Sequence, residues 1–317
     1  MSEFDGFQQE AAPDATEPAV GKSFRCGFVA LAGRANVGKS TLLNQLLGSK
    51  VAIVSTVPQT TRFPVRGVLH RPGLQVIVID TPGIHKPRYR MNEEMVKMAT
   101  RILKEVDLVA VIVDASEGLG PGDRFVFDQV KQAGIGSLLV LNKIDLMPKE
   151  RLLLMIDEAR KTGLFEEIIP LSALTGESCD RLERVIVERM PEGPPHFPPE
   201  TLSDLPERLA IAELIREQVF IKTRQEVPHA TAVLIEAVRK DEKGLTRIDA
   251  TIVVDRDSQK SILIGEGGGM MKAIGTAARH NVETLLKGRV HLSLWVKVKE
   301  GWRDDPSLLR LIGLPVP

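Results

Sequence analysis

The segment Gly33-Arg34-Ala35-Asn36-Val37-Gly38-Lys39-Ser40-Thr41 fits the pattern GxxxxGK[ST]. Residues of these types at this spacing can wrap a phosphate. Glycines let backbone N–H groups approach where a side chain would collide, and the start of a following helix favours negative charge. Lys39 would reach the β- and γ-phosphates, and Ser40 would place a hydroxyl on a magnesium ion. Downstream, in order, stand Asp80-Thr81-Pro82-Gly83, Asn142-Lys143-Ile144-Asp145 and Ser172-Ala173-Leu174. Asp80 is suited to hold the same metal, through a water because magnesium dehydrates reluctantly. Gly83 offers an N–H to the γ-phosphate and a pivot for the chain after it. The carboxylate of Asp145 can accept from guanine N1–H and from its exocyclic amine, a donor pair that adenine lacks. Asn142 and Lys143 would buttress the base, and Ser172 and Ala173 would close over it. These residues describe a site that binds and hydrolyses GTP.

A metal-sensing threonine is expected between the phosphate loop and Asp80. Thr60 and Thr61, in Pro58-Gln59-Thr60-Thr61-Arg62, are the candidates, and Thr61 is favoured. Lys39, Thr61 and Gly83 form the expected catalytic set, and Ser40, Thr61 and Asp80 the metal set. The residue after Gly83 is Ile84, where small signalling GTPases carry a water-orienting glutamine. An isoleucine cannot hydrogen-bond a nucleophile, so intrinsic hydrolysis should be slow. His85 is read as a solvated loop residue rather than a substitute base.

The elements that must position these groups follow from the apolar pattern. Short apolar runs at 26–32, 75–79, 108–113, 138–141 and 168–171 alternate with helical segments, as in a doubly wound, mostly parallel sheet. Each motif falls just after a run, where ligands bind in such folds. A helix is expected over 39–47. Six prolines between residues 191 and 206 bias that stretch toward extended backbone and mark it as a semi-rigid connection. Beyond it the order is helix (207–223), strand (230–238), strand (247–254), glycine loop (265–268), helix and a cleanly alternating strand (290–298), a compact α+β module. The expected division is an acidic tail over 1–22, a P-loop domain over 23–190, the connection over 191–206 and a second domain over 207–317. Trp295, on the last strand, is the one candidate for a base-stacking face, with packing between sheet and helix the favoured reading.

Composition bounds the partners. Lys+Arg and Asp+Glu stand at 42 each in 317 residues, so no global positive field drives nucleic-acid binding and any such contact needs a local patch. Cys26 and Cys179 have no metal-ligand or CxxC spacing and are expected as reduced thiols. The first twenty residues are acidic with no base and no apolar run, which argues against a signal peptide and for a disordered tail. No stretch approaches the roughly 18 apolar residues of a membrane span. A cytoplasmic protein is expected, with peripheral membrane contact left open.

With these motifs on the page the chain resembles the Era family, bacterial GTPases with a carboxyl-terminal KH domain. The resemblance runs from Phe24 onward and rests on GRANVGKSTLLNQLLG, PQTTR, DTPGIHKP, NKID and SAL, then on Asp255-Arg256-Asp257-Ser258-Gln259-Lys260, SILIGEGGGMMKAIG and WVKVKEGWRDD. It implies an α/β P-loop GTPase domain followed by a smaller type II-like KH domain. It also implies a monomeric switch that binds GTP or GDP with Mg2+, binds small-subunit ribosomal RNA near its 3′ end and assists subunit assembly. In related GTPases an asparagine at the position of Asn36 helps bind K+, which stands in for an arginine finger. The glycine loop Gly265-Glu266-Gly267-Gly268 would press its backbone against single-stranded RNA. Glu266 departs from the basic residue such loops often carry, so affinity would come from Lys260, Lys272, Arg279, Lys297 and Lys299, with Lys272 best placed. The competing expectation is a GTP-binding interaction protein with negligible hydrolysis, whose KH-like module binds a protein.

Overall fold

The computed structural model describes residues 24–54, 61–85, 87, 89–223, 226–242 and 244–314. Strands β1 (Arg25–Ala32), β2 (Val65–Arg71), β3 (Leu74–Asp80), β4 (Leu108–Asp114), β5 (Ser137–Asn142) and β6 (Glu167–Pro170) form one sheet in the order β2-β3-β1-β4-β5-β6. Only β2 is antiparallel to its neighbour. The strand order reverses at β1, so the loop leaving β1 opens into the crevice beside β4, where doubly wound sheets bind ligands. Helices α1 (Lys39–Leu47), α2 (Arg90–Ile102), α3 (Pro121–Ala133), α4 (Lys149–Arg160) and α5 (Cys179–Arg189) connect the strands. β3 and β4 are buried at every residue, since helices cover both faces of the sheet. Two apolar clusters fill those faces, one around Val29, Leu43 and Val140 and the other around Ile77, Val111 and Leu139.

The second unit runs α6 (Glu207–Lys222), β7 (Ala232–Lys240), β8 (Thr246–Val254), α7 (Asp257–Ile264), α8 (Gly269–Leu286) and β9 (Val290–Val298), closed by α9 (Pro306–Leu311). Its sheet is β7-β8-β9, with β9 parallel to β8, and α6 and α8 pack on it through Ile211, Ile215, Ile274, Ala278 and Val282. Besides α9, two elements go beyond the sequence reading. β2 lacks a clean alternation, although Pro72 and Gly73 (φ 74°) mark its hairpin turn with β3. α7 is a short helix in the stretch read only as a motif.

The proline-rich connection is extended, as its prolines require, but it is fastened to the first sheet. Cys26 N–H donates to Pro191 O (3.0 Å) and Val68 N–H to Leu202 O (2.9 Å), and Gly67 bridges Ser203. Gln75, 1% exposed, accepts from His196 N–H (2.7 Å) and Phe197 N–H (3.0 Å) and donates to Phe197 O (2.8 Å). A fourth apolar cluster joins the two units: Met91 and Met95 of α2 meet Ala232, Val253, Trp302, Leu308 and Ile312. Among the described residues no helix is long and apolar enough to cross a membrane.

Replacing Gln75 with alanine orphans three backbone groups of the strap at once. Gln75→Ala should lower unfolding free energy by about 2 kcal/mol in urea titration and speed proteolytic cleavage within residues 191–206.

Candidate functional site

The phosphate loop joins β1 to α1 at the centre of the sheet. Gly33 (φ 154°) lies so near β4 that a Cβ would meet Ile112 O at 2.4 Å, and one on Gly38 (φ 100°) would meet Asn142 Nδ2 at 2.2 Å. No other residue fits either place. Val37 is buried, Asn36 adopts φ 64°, and Thr41 begins the half-buried side of α1. The Arg34 guanidinium points away from the loop to Asp123 and Glu117 (2.8 Å each), which leaves only its backbone facing inward. Lys39 is 6% exposed and donates to Arg34 O (2.7 Å) and Gly33 O (3.3 Å). Burial pushes its amine down to about 8, with Asp80 pulling it back up. A buried ammonium flanked by oriented amides is a built receptor for an anion.

Asp80, at the end of β3, is fully buried. Its Oδ2 accepts from Ser40 Oγ (2.6 Å) and Thr61 Oγ1 (3.0 Å), the two hydroxyls lying 3.0 Å apart. Its Oδ1 is buried without a hydrogen-bond partner. Burial pushes the carboxyl up, while Lys39, Ser40 and Thr61 oppose that shift. One carboxylate with an unsatisfied oxygen and two hydroxyls make a hard, all-oxygen donor set, which fits Mg2+. Thr61 is thus brought beside Ser40 and Asp80, whereas Thr60 lies outside the described residues. Gly83 packs against the loop, where a Cβ would stand 2.8 Å from Ala35 N, and Ile84 N–H donates to Gly33 O (3.1 Å). The Ile84 side chain is completely buried, and His85 is half-buried rather than solvated.

At the opposite end, Asn142 holds two loops together. Its Nδ2 donates to Val37 O (2.7 Å) and its Oδ1 accepts from Ala173 N–H (2.9 Å). Lys143 (φ 65°) is bound to Asp114 Oδ2 at 2.5 Å. Burial pushes the Asp114 carboxyl up, but Lys143 and Ser116 outweigh it and hold the group below its usual range. Asp145 stands exposed on a 3-10 turn over Ile144–Leu146, with its carboxylate open to a base. Ser172 is fully buried and its Oγ accepts from Thr175 N–H (3.2 Å), which closes a local turn. Ser172 and Ala173 thus build the wall of this end. Asp114 escaped the sequence reading although it ends a strand, the one signal that pointed to it.

The glycine loop between α7 and α8 carries positive φ at Gly265, Gly267 and Gly268, and a Cβ on Gly265 would meet Met270 N at 2.9 Å. Beside it runs a groove between α8 and the edge strand β9, lined by Gly268, Lys272, Arg279, His291 and Trp295. Trp295 is 53% exposed, which corrects its expected packing role. It shares the outward parity of β9 with His291 and Lys297, opposite the core residues. Glu266 is exposed at the loop tip and Lys260 sits half-buried on α7 outside the groove lining. Lys299 is tied to Asp305 and does not line the groove. His291 was not foreseen.

Two family models match, one described as a 50S ribosome-binding GTPase over residues 28–143 and one as a KH domain over residues 226–303. The chain is 47% identical over 292 residues to GTPase Era of Alkaliphilus oremlandii, covering 92% of this chain and 99% of that one. It is 46% identical to GTPase Era of Heliobacterium modesticaldum, covering 92% and 98%. A solved structure of Era in complex with MgGDPNP and nucleotides 1506–1542 of 16S ribosomal RNA superposes with a TM-score of 0.90 at 40% identity, covering 92% of this chain and all of that one. A substituted Era of Aquifex aeolicus bound to GDP·AlF4− gives 0.89 at 40%, with the same coverage.

Because Asn142 satisfies Val37 O and Ala173 N–H inside the protein, Asn142→Ala should cost about 2–4 kcal/mol of folding free energy. Urea unfolding without nucleotide would register it, separately from any loss of ligand.

Proposed function

The chain belongs to the Era family of GTPases, and on that premise we propose that it is a guanine-nucleotide switch whose KH domain binds small-subunit ribosomal RNA near its 3′ end during subunit assembly. The observation that carries the reading is the 40%-identical relative solved with MgGDPNP and a 16S RNA fragment together, matched over 92% of this chain. The proposed domain plan is 23–190, 191–206 and 207–317, and the protein acts as a cytoplasmic monomer.

Amides of residues 33–38 and the start of α1 cradle the phosphates, Lys39 neutralises their charge, and Asp145 reads guanine over adenine. Bound Mg2+ supplies charge neutralisation between the phosphates, and Ser40, Asp80 and Thr61 are the residues that would hold it. Gly83, pressed on Ala35, offers its N–H where the γ-phosphate would end. Ile84 is buried, so no side chain at that position orients water, which supports slow intrinsic turnover. K+ near Asn36 is the proposed substitute for a missing positive group. Single-turnover GTP hydrolysis should run at least tenfold faster in KCl than in NaCl, and equal rates near zero in both salts would favour the interaction-protein reading.

For RNA, the proposed contacts are Gly265, Glu266, Gly267 and Gly268 of the loop with Lys272 beside it, while Lys260 contributes from α7. The exposed indole of Trp295, the candidate stacking face of the sequence, lines the groove. Removing one stacked base contact costs about 1–3 kcal/mol. Trp295→Ala should therefore weaken binding of a small-subunit 3′-end RNA about 5- to 150-fold, and Glu266→Lys should tighten it. Titrations in GTP-analogue and GDP states at two salt concentrations would measure both, and unchanged affinity in Trp295→Ala would remove the groove from the reading.

A further inference from the structure

Thr61 touches Ser40 and Asp80, and the next residue leaves the GTPase domain altogether. The Arg62 side chain is 4% exposed and enters the KH domain, where Nη1 donates to Thr231 O (2.7 Å) and Nη2 to His229 O (3.4 Å). Its guanidinium lies 5.5 Å from the ring centroid of Trp302. That indole is fully buried and donates to Ala230 O (2.9 Å), so the two side chains together hold three successive carbonyls of the turn before β7. Thr231 is buried and donates to Val227 O (2.6 Å), which fixes the turn from inside.

We propose that Arg62 is a positioning residue for GTP hydrolysis, which anchors Thr61 against Ser40 and Asp80 by gripping backbone carbonyls of the KH domain. The inference rests on the metal-facing role assigned to Thr61 above. A guanidinium out of water is tolerated only where acceptors meet it. Burial lowers its pKa, the charges of Arg216 and Arg303 add to that effect, and Glu213 opposes it. Nε of Arg62 is buried without a partner, so the two carbonyls and the indole face carry the compensation. Arg62 thus has two acceptable places, the KH pocket or open water, and not a continuum between them. Adjacent Cα atoms stand about 3.8 Å apart, so a backbone anchored at Arg62 also restricts where Thr61 can lie beside Ser40 and Asp80. Other contacts join the units, apolar through Met91 and Met95 of α2 and polar through Lys50 to Glu217 (2.7 Å) and Arg90 N–H to Asp304 Oδ1 (2.9 Å), but none of them starts from a residue next to Thr61. GTPase geometry is therefore completed by the second domain.

The test uses the full chain, with single-turnover hydrolysis and GDP affinity measured for wild type, Thr61→Ala, Arg62→Met and Arg62→Lys. Arg62→Met should lower the hydrolysis rate at least tenfold while GDP, which lacks the phosphate that Thr61 senses, binds as before. Arg62→Lys, which keeps the charge but loses the fork, should fall between. A merely structural role would weaken GDP binding in step with the rate. In a Trp295→Phe background Trp302 is the only tryptophan, and its emission should respond to exchange of GDP for a GTP analogue unless Arg62 is Met. Full hydrolysis by Arg62→Met with loss in Thr61→Ala overturns the inference and leaves the proposed function standing. Full hydrolysis by Thr61→Ala overturns this inference together with the assigned role of Thr61. Should Arg62→Met fail to fold, Arg62→Lys decides: a wild-type rate overturns the proposal, and a reduced rate at unchanged GDP affinity supports it.

Discussion

Lys39 and Asp80 are opposite charges held out of water at one rim of a parallel sheet, and the site is organised around that constraint. Neither is tolerable alone at its degree of burial. The loop carbonyls of Gly33 and Arg34 turn toward the ammonium, and the hydroxyls of Ser40 and Thr61 turn toward the carboxylate. These groups come from four segments, so holding two charges dry also fixes the relation of β1, α1, β3 and the stretch before β2. One carboxylate oxygen remains unsatisfied, which makes the arrangement receptive rather than closed.

Much of this was legible in the sequence because it is local. The GxxxxGK[ST] spacing, the apolar runs and the residues just past them require only that a chain turn at a strand end, and β1, α1 and β3 begin and end within a residue of expectation. What escaped was long-range. The parity of Trp295 put it on the outward side of β9, but its exposure depends on β9 being an edge strand, which no local pattern reveals. Arg62 reads as an ordinary loop cation until Thr231 and Trp302, far along the chain, are brought to it. Around Ser172 both scales meet, since its hydroxyl accepts from Thr175 N–H in a local turn while Ala173 N–H is held by Asn142 from another strand end.

On the proposed reading, the KH groove is where a neutral chain would meet a polyanion. With no net charge to steer approach, attraction must come from the few cations near the glycine loop. Lys272 and Arg279 line the groove, whereas Lys299 is neutralised by Asp305. An exposed indole suits this setting, because stacking does not weaken with salt as phosphate contacts do.

The fastened connection has a bearing on solubility. A sheet edge exposes unpaired backbone groups to which another chain can add a strand. On the β2 side that invitation is withdrawn by the chain itself, since Val68 and Gly67 are already engaged by residues 202 and 203. On the opposite side β6 is only four residues long and ends in Pro170, which has no N–H to offer. Both margins of the first sheet are thereby blunted, one by the strap and one by brevity. Neither margin therefore offers a second copy of the chain a template for aggregation.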